Sequence, residues 1–424
     1  MISMSLSTHS QVIRLTPLQQ WRYITQPASM YPWLKEHGEG STPLRILGQD
    51  CVSILTPEGI RQVFSNDPIG YDVFWKDSFA GLHGDGSLFV LTGERHRKER
   101  QLLMPAFHAN HFRPYGEAIR NIARRHTEKW QPGQIIVATK TTLSISLDVI
   151  MLLVFGVFDP DLMKEGRKCI SALLRSAHPL LVFLPALQRR WFPPWRRYVR
   201  ANADFSNWLD RYLAWHSVHN IESNNVLGYM LAAVNNDGIK LSNKDIRDEL
   251  VTILLAVAER LRTELETLGP DPDIERIVKL PYLSAVCNET LRLHTVLAET
   301  GRVLTSPLTL FGQTVQPGVS VIVSMAGIHH DPELYPEPYS FNPQRFIDRT
   351  YGPFEFLPFG GGHRRCLGAS FAEYELRIAL AEIVMHWEFE PAGLESEIRQ
   401  DIAMGPKHGV RLRIKSRRNP FETK

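Results

Sequence analysis

The stretch Phe356 to Glu373, FLPFGGGHRRCLGASFAE, sets four glycines and two arginines around one cysteine, Cys366, directly ahead of an apolar helical pattern. A lone cysteine is ordinarily a small buried hydrophobe. The surroundings argue otherwise here. Gly360, Gly361 and Gly362 permit a tight backbone bulge, and Gly368 lets the chain pass close to something large and flat. Cys366 then falls just before a helix start, where unpaired N–H groups and the positive end of the helix dipole favour a thiolate.

Such a thiolate can be a nucleophile, a zinc ligand or a haem ligand. Zinc calls for further Cys or His at short spacing, and Cys51, Cys169 and Cys287 are far away in sequence. The glycines also fail as a phosphate loop, because no Gly-Lys-Ser/Thr follows them. What remains is axial ligation of haem iron by cysteine, which pushes electron density toward iron and favours O–O cleavage. The pattern Phe359-x-x-Gly362-x-Arg364-x-Cys366-x-Gly368 resembles, position for position, the haem-binding signature of the cytochrome P-450 superfamily. The resemblance implies that Cys366 is the proximal ligand of haem b (iron protoporphyrin IX), with Phe359 packed against it and Gly368 close to the cofactor. Arg364 would then hold a haem propionate through charge-assisted hydrogen bonds.

A hydrophobic content of 43% is ample for a large core, and a formal net charge of +3 is too small to argue for nucleic acid. The four cysteines are widely spaced and do not form a disulfide framework, which favours a reducing compartment. The N-terminus MISMSLSTHSQVIRL has no apolar run of signal or anchor length, and runs such as Val149 to Phe158 fall short of a span. The expectation is a cytoplasmic protein. By the resemblance, the 424 residues fold as a disordered tail over 1–14, a single haem-binding domain over 15–415 and a basic tail over 416–424.

Along the chain, PLRILG and CVSILT alternate like paired strands, and Pro57 opens a helical pattern. Asp72 to Ser87 reads as a glycine-rich aromatic loop; in the resembling family it walls the substrate, which would involve Phe74, Trp75, Phe79 and Leu82. In GERHRKERQLLMPAFH, His96 and Arg100 stand four apart on one helix face. A basic pair at that spacing is ordinarily a solvated surface, whereas the resemblance implies that both bind haem propionates. Arg95, Arg97 and Lys98 would face outward and attract an acidic electron donor. The block Pro179 to Arg200 joins an apolar run to a basic aromatic one, and either touches a membrane surface peripherally or packs and solvates. The resemblance makes it the lid of the substrate channel.

Farther on, Glu289 and Arg292 are three apart on a helix opened by Pro281. A surface pair of that kind is worth little. In the family, Glu-x-x-Arg pairs with a later arginine and locks the core beneath the haem; the run Pro338-x-x-Phe341-x-Pro343-x-Arg345 supplies Arg345. Arg302 fits the family's third basic ligand of the propionates.

One segment departs from the family. Ser242 and Asp245 look like a helix start, and Ile246, Leu250, Ile253, Leu254, Val257, Leu261, Leu265 and Leu268 step by three and four toward Gly269-Pro270. Up to Ala256 this resembles the first half of the long distal helix. The family then continues Gly-x-Glu/Asp-Thr-Thr, but here VAERLRTELETLG follows, so roughly 24 residues, about 36 Å of helix, are missing. No catalytic acid–alcohol pair is identifiable.

The fold expected is mostly α with small β-sheets, the cytochrome P-450 fold lacking part of its distal helix. The function implied is a haem-thiolate monooxygenase acting on an apolar fatty acid, alkane or terpenoid. It would draw electrons from NAD(P)H through a reductase and a ferredoxin or flavodoxin. The alternative is a degenerate haem-binding protein with little turnover.

Overall fold

The computed structural model describes residues 12–38, 40–67, 69–156, 160–176, 178–219, 273–392, 397–399, 404–406 and 410–417. The chain divides into two compact units. One comprises Met1–Lys76, Asn288–Cys366 and Glu397–Gly405; the other comprises Asp77–Cys287, Leu367–Ser396 and Pro406–Lys424.

The first unit is built on a six-stranded sheet. Ser41–Ile46 and Gln49–Ile54 pair antiparallel through Leu47 and Gly48, which both take positive φ (49° and 82°) as a two-residue hairpin requires. Gln49–Ile54 then runs parallel to Ser320–Ser324, which is antiparallel to Glu299–Leu304, and Tyr71–Val73 closes that edge. Side chains alternate between two cores. Val52, Ile54, Val321 and Val323 join Ile60, Val63 and Phe64, whereas Cys51 and Ile322 join Leu34 and Leu44. With both faces covered, Ser320–Ser324 is buried at every residue, and its centre Val321, Ile322 and Val323 is apolar on both faces. The helix Pro57–Ser65 leads away from the hairpin, capped by Thr56, whose hydroxyl accepts from the Gly59 N–H at 3.3 Å.

The second unit is helical. Gly116–Thr127, Ala138–Ile150 and Ala369–His386 share a core that includes Ile119, Ile122, Ala123, Ile145, Val149, Phe371 and Ile378. Ala369–His386 is buried on nearly all sides, the mark of a helix inside a core. Its Glu375 carboxyl accepts from the Ser146 hydroxyl at 3.0 Å, and burial pushes its pKa up to about 8. Burial alone would also raise Glu382, but hydrogen bonds from His386 and Arg124 hold it below the usual range. The helices Pro160–Ser176 and Pro193–His219 pack closely because Gly166 has no side chain: a Cβ there would lie 2.6 Å from the Trp208 ring. Trp208 Nε1 donates to Leu162 O at 3.2 Å and the Tyr212 hydroxyl to Phe155 O at 2.7 Å, so these buried rings keep their hydrogen bonds.

Several local expectations change. Ile13–Arg14, expected within the tail, pairs in parallel with Leu44 and Arg45, and Leu15 is buried, while 1–11 lie outside the described residues. At the other end Arg411–Arg417 is a strand, and 418–424 lie outside the described residues. Asp72 to Ser87 is not all loop: Lys76–His83 is a helix. The Tyr198 hydroxyl donates to Leu82 O in its last turn, and Gln188 Nε2 to Ser78 O in its first, so distant side chains hold both ends. Ala138–Phe155, a helix ending in a π-turn at Gly156, is long and apolar enough to cross a membrane, yet 56% of it is buried. Its polar Ser146 and Asp148 interrupt any run of apolar letters, and Asp148 Oδ2 lies 2.8 Å from His126 Nε2 within the core. The expected helix from Ser242 to Gly269, with Ala256, lies outside the described residues.

Between Pro179 and Arg200 the chain forms the short helix Pro179–Phe183, a 3-10 turn Pro185–Leu187 and the first turns of Pro193–His219. Leu184, Trp191 and Val199 are exposed there, as are Arg189, Arg190, Arg196, Arg197 and Arg200.

Candidate haem site

The signature loop is fixed at its base by a chain of hydrogen bonds. The Leu357 N–H donates to His329 Nε2 at 3.0 Å, and His329 Nδ1 lies 2.8 Å from Thr295 Oγ1. The Thr295 hydroxyl donates to Arg292 O at 2.8 Å. Burial, with the nearby charges of His330 and Arg292, holds His329 well below its ordinary pKa, so the ring is neutral. With Nε2 accepting, the proton sits on Nδ1 and is donated to Thr295.

Above that base, the Gly360 N–H donates to Leu357 O and the Cys366 N–H to Phe359 O, both at 3.0 Å. Gly360 and Gly362 have φ of 70° and 65°, the left-handed region in which a side chain is strained. Gly361 is needed for space, since a Cβ would lie 2.5 Å from the Phe64 ring. The bulge leaves Cys366 as a free, half-buried thiol two residues ahead of Gly368, the N-cap of Ala369–His386. Phe359 is buried, and Arg364 is half-buried in the short 3-10 turn Gly362–Arg364.

Arg302 lies in the sheet of the same unit, between Val73 on one strand and Val321 on the other, and is 2% exposed. Its Nη1 donates to Gly301 O at 2.9 Å and to Thr300 Oγ1 at 3.2 Å, and its Nη2 to Asp67 Oδ2 at 3.1 Å. Its Nε is buried with no acceptor among the described residues. An orphaned guanidinium donor of this kind is costly unless something else supplies the acceptor.

Also in this unit, Glu289, Arg292 and Arg345 meet. Glu289 and Arg292, three apart on Pro281–Leu293, are fully buried and bidentate at 2.7 and 2.9 Å. Arg345 Nε and the Asn342 N–H donate to the same carboxylate at 3.1 and 2.8 Å. The remaining guanidinium hydrogens go to backbone: Arg292 Nη1 to His329 O and Pro338 O, Arg345 Nη1 to Pro336 O. These bonds order a turn-rich segment that has little secondary structure of its own.

His96 and Arg100 belong to the other unit, on the helix Gly93–Leu103, with His96 buried and Arg100 half-buried. On that helix Arg95 pairs with Glu99 at 2.7 Å and Arg97 with Glu94 at 3.0 Å, so two of the outward cations carry an acid of their own.

Among the described residues no group of three or more His, Cys, Asp or Glu side chains can hold a metal ion. A zinc cage is therefore not what these residues build. A half-buried thiol at a helix N-terminus, with a buried guanidinium lacking an acceptor, fits an iron macrocycle that bears carboxylates. Two residues of the loop's surroundings escape a reading of the sequence: His329, hidden in the repeat HHDP, and Asp67, which looks like a turn residue in SNDP. Nothing local marks either one.

The family profile described as Cytochrome P450 matches residues 13–259 and 255–413. A provisionally assigned cytochrome P450 138 of Mycobacterium tuberculosis is 30% identical over 403 residues, 91% of each chain. A provisionally assigned cytochrome P450 135A1 of the same species is 31% identical over 382 residues, 86% of this chain and 85% of that one. Among solved structures, the cytochrome P450DA haem domain superposes with a TM-score of 0.81 at 19% identity, covering 96% of this chain and 97% of that one. Retinoic acid bound cyanobacterial CYP120A1 gives 0.77 at 22% identity, with 92% and 96% covered.

Proposed function

The chain belongs to the cytochrome P450 family, whose members are haem-dependent monooxygenases, and from that premise we propose that it inserts one oxygen atom of O2 into an apolar substrate. The observation that carries the reading is the loop from Phe359 to Cys366, which spends two left-handed glycines to leave one thiol half-exposed. Bound haem would supply the activation of O2. The chain's own part is to present Cys366 Sγ to the iron, with Phe359 and Gly368 beside it. Arg302, Arg364, His96 and Arg100 would neutralise the propionates, while Glu289, Arg292 and Arg345 keep the supporting loop in place.

The proposed substrates are fatty acids, alkanes or terpenoids. The electrons would come from NAD(P)H through a reductase and a ferredoxin or flavodoxin. With Arg95 and Arg97 already paired to Glu99 and Glu94, attraction of that donor by this helix is weaker than its sequence suggests. Exposed Leu184 and Trp191 beside five exposed arginines support a peripheral contact of a cytoplasmic protein with an anionic membrane surface.

The second reading, a haem-binding protein with little turnover, is favoured by one observation. The family profile matches in two segments that meet at residues 255–259, where the sequence loses its Gly-x-Glu-Thr-Thr. Re-reading the genomic DNA around codon 256 separates the two, since an in-frame or frameshifted distal segment there restores the first. The haem assignment has its own test. Ferrous protein with carbon monoxide is expected to show the red-shifted Soret band of thiolate ligation, and Cys366→Ala to abolish it. An unchanged spectrum in the variant would sink the assignment.

A further inference from the structure

We infer that Asp67 is a resident counter-charge for Arg302 that competes with a haem carboxylate, so that it keeps the haem-free site folded and loosens the hold on haem. The inference rests on the reading that Arg302 neutralises a propionate.

Asp67 follows the helix Pro57–Ser65, at the end where the helix dipole disfavours a carboxylate. Its side chain is nevertheless only 2% exposed. Two donors hold it there: Arg302 Nη2 at 3.1 Å and the His363 N–H at 3.0 Å, both on Oδ2. The second bond ties Asp67 into the signature loop three residues from Cys366. The fit is close, for a Cβ on Gly362 would lie 2.7 Å from that same oxygen. Asp67 therefore links the strand carrying Arg302 to the loop carrying the thiol.

The distribution of Arg302 donors gives the consequence. Nη1 is used by Gly301 and Thr300 and one hydrogen of Nη2 by Asp67, which leaves Nε as the nitrogen with no acceptor at all. A carboxylate arriving at Nε meets a guanidinium whose charge Asp67 already compensates, and it meets the charge of Asp67 as well. Before haem arrives, the same pair spares the fold an uncompensated buried cation. Asp67 is thus a positioning residue whose effect on haem runs through Arg302. Replacing its charge while keeping its acceptor should tighten haem binding, although it removes an ion pair.

The test is haem transfer to excess apomyoglobin from the holoprotein and from Asp67→Asn, Arg302→Gln and the double variant. Thermal unfolding of each is measured with and without haem. Asp67→Asn is expected to slow haem loss about tenfold, the difference between a charge-assisted bond to a compensated and to an uncompensated guanidinium. It should also lower the midpoint of the haem-free form more than that of the holoprotein. In the Arg302→Gln background the effect on haem loss should vanish. Equal or faster haem loss in Asp67→Asn, or the same effect in both backgrounds, overturns the inference while leaving Arg302 its role. Unchanged haem loss in Arg302→Gln overturns the reading beneath it. Asp67→Ser, which keeps an acceptor for the His363 N–H, is read by the same criteria if Asp67→Asn does not fold.

Discussion

Glu289→Gln changes one oxygen for an amide and tests how the turn-rich segment around Arg345 is held. The native carboxylate receives four hydrogen bonds: two from Arg292, one from Arg345 and one from the Asn342 N–H. Three converge on Oε1 and one on Oε2. If the glutamine carbonyl takes the crowded side, its NH2 faces Arg292 Nε, donor against donor. Two guanidinium groups, 0% and 8% exposed, are left without an anion. Breaking a buried pair from one side costs about 3–5 kcal/mol, and two cations lose their partner here, so about 3 kcal/mol is the lower bound. With an m-value of about 5 kcal/mol/M in guanidinium chloride, the unfolding midpoint should fall by roughly 0.6 M or more. The assay is equilibrium unfolding of the holoprotein followed by tryptophan fluorescence and by the Soret band. A shift below about 0.1 M, some 0.5 kcal/mol, would show that the three charges do not act as one buried unit.

Glu375 predicts a pH dependence. Its folded pKa, raised to about 8 by burial, lies above its unfolded value of 4.5, so the folded state holds the extra proton between those limits. Stability from this group is complete below pH 4.5, falls by about 1.4 kcal/mol per pH unit through the window and levels off above 8. Thermal midpoints of the native chain and Glu375→Gln should diverge as pH rises, and parallel curves would contradict the buried acid. Removing Arg364, His96 or Arg100 singly should speed haem loss while leaving the carbon monoxide spectrum unchanged, each charge-assisted contact being worth roughly 1.5–3 kcal/mol. Unaltered haem retention in all three would refute their roles. On the second reading proposed above, a contribution of roughly 10²- to 10⁴-fold to proton delivery is lost with the distal acid and alcohol. Product formed per NAD(P)H consumed should therefore be low and should rise when a family-like segment is inserted after Ala256; efficient coupling in the unmodified chain would show the gap to be harmless.

The parts of this molecule legible in its sequence are those in which backbone geometry dictates residue type. Gly360 and Gly362 advertise a tight backbone bulge, Pro57 advertises a helix start, and the alternation of PLRILG and CVSILT advertises paired strands. The helix Lys76–His83 could not be read that way. It is held by Tyr198 and Gln188, more than a hundred residues on, and its own glycine and aromatics suggest a loop. Asp67 is illegible for a related reason: its partners lie 235 and 296 residues away, and only the folded sheet brings them to it.

The chain from Leu357 through His329 and Thr295 to Arg292 has a direction, because every donor in it points toward the Arg292 carbonyl. A proton added to Nε2 reverses one link and sets two N–H groups against each other at the foot of the loop. His329 has a depressed folded pKa, so its contribution is intact above the unfolded value of 6.5 and is lost as pH falls through the folded one. Acid therefore acts at the base of the loop, where it releases the hydrogen bond that holds the Leu357 N–H. Glu375 acts in the opposite sense, its contribution falling as pH rises from 4.5 to about 8, so two groups in separate units tilt stability in opposite directions as pH changes.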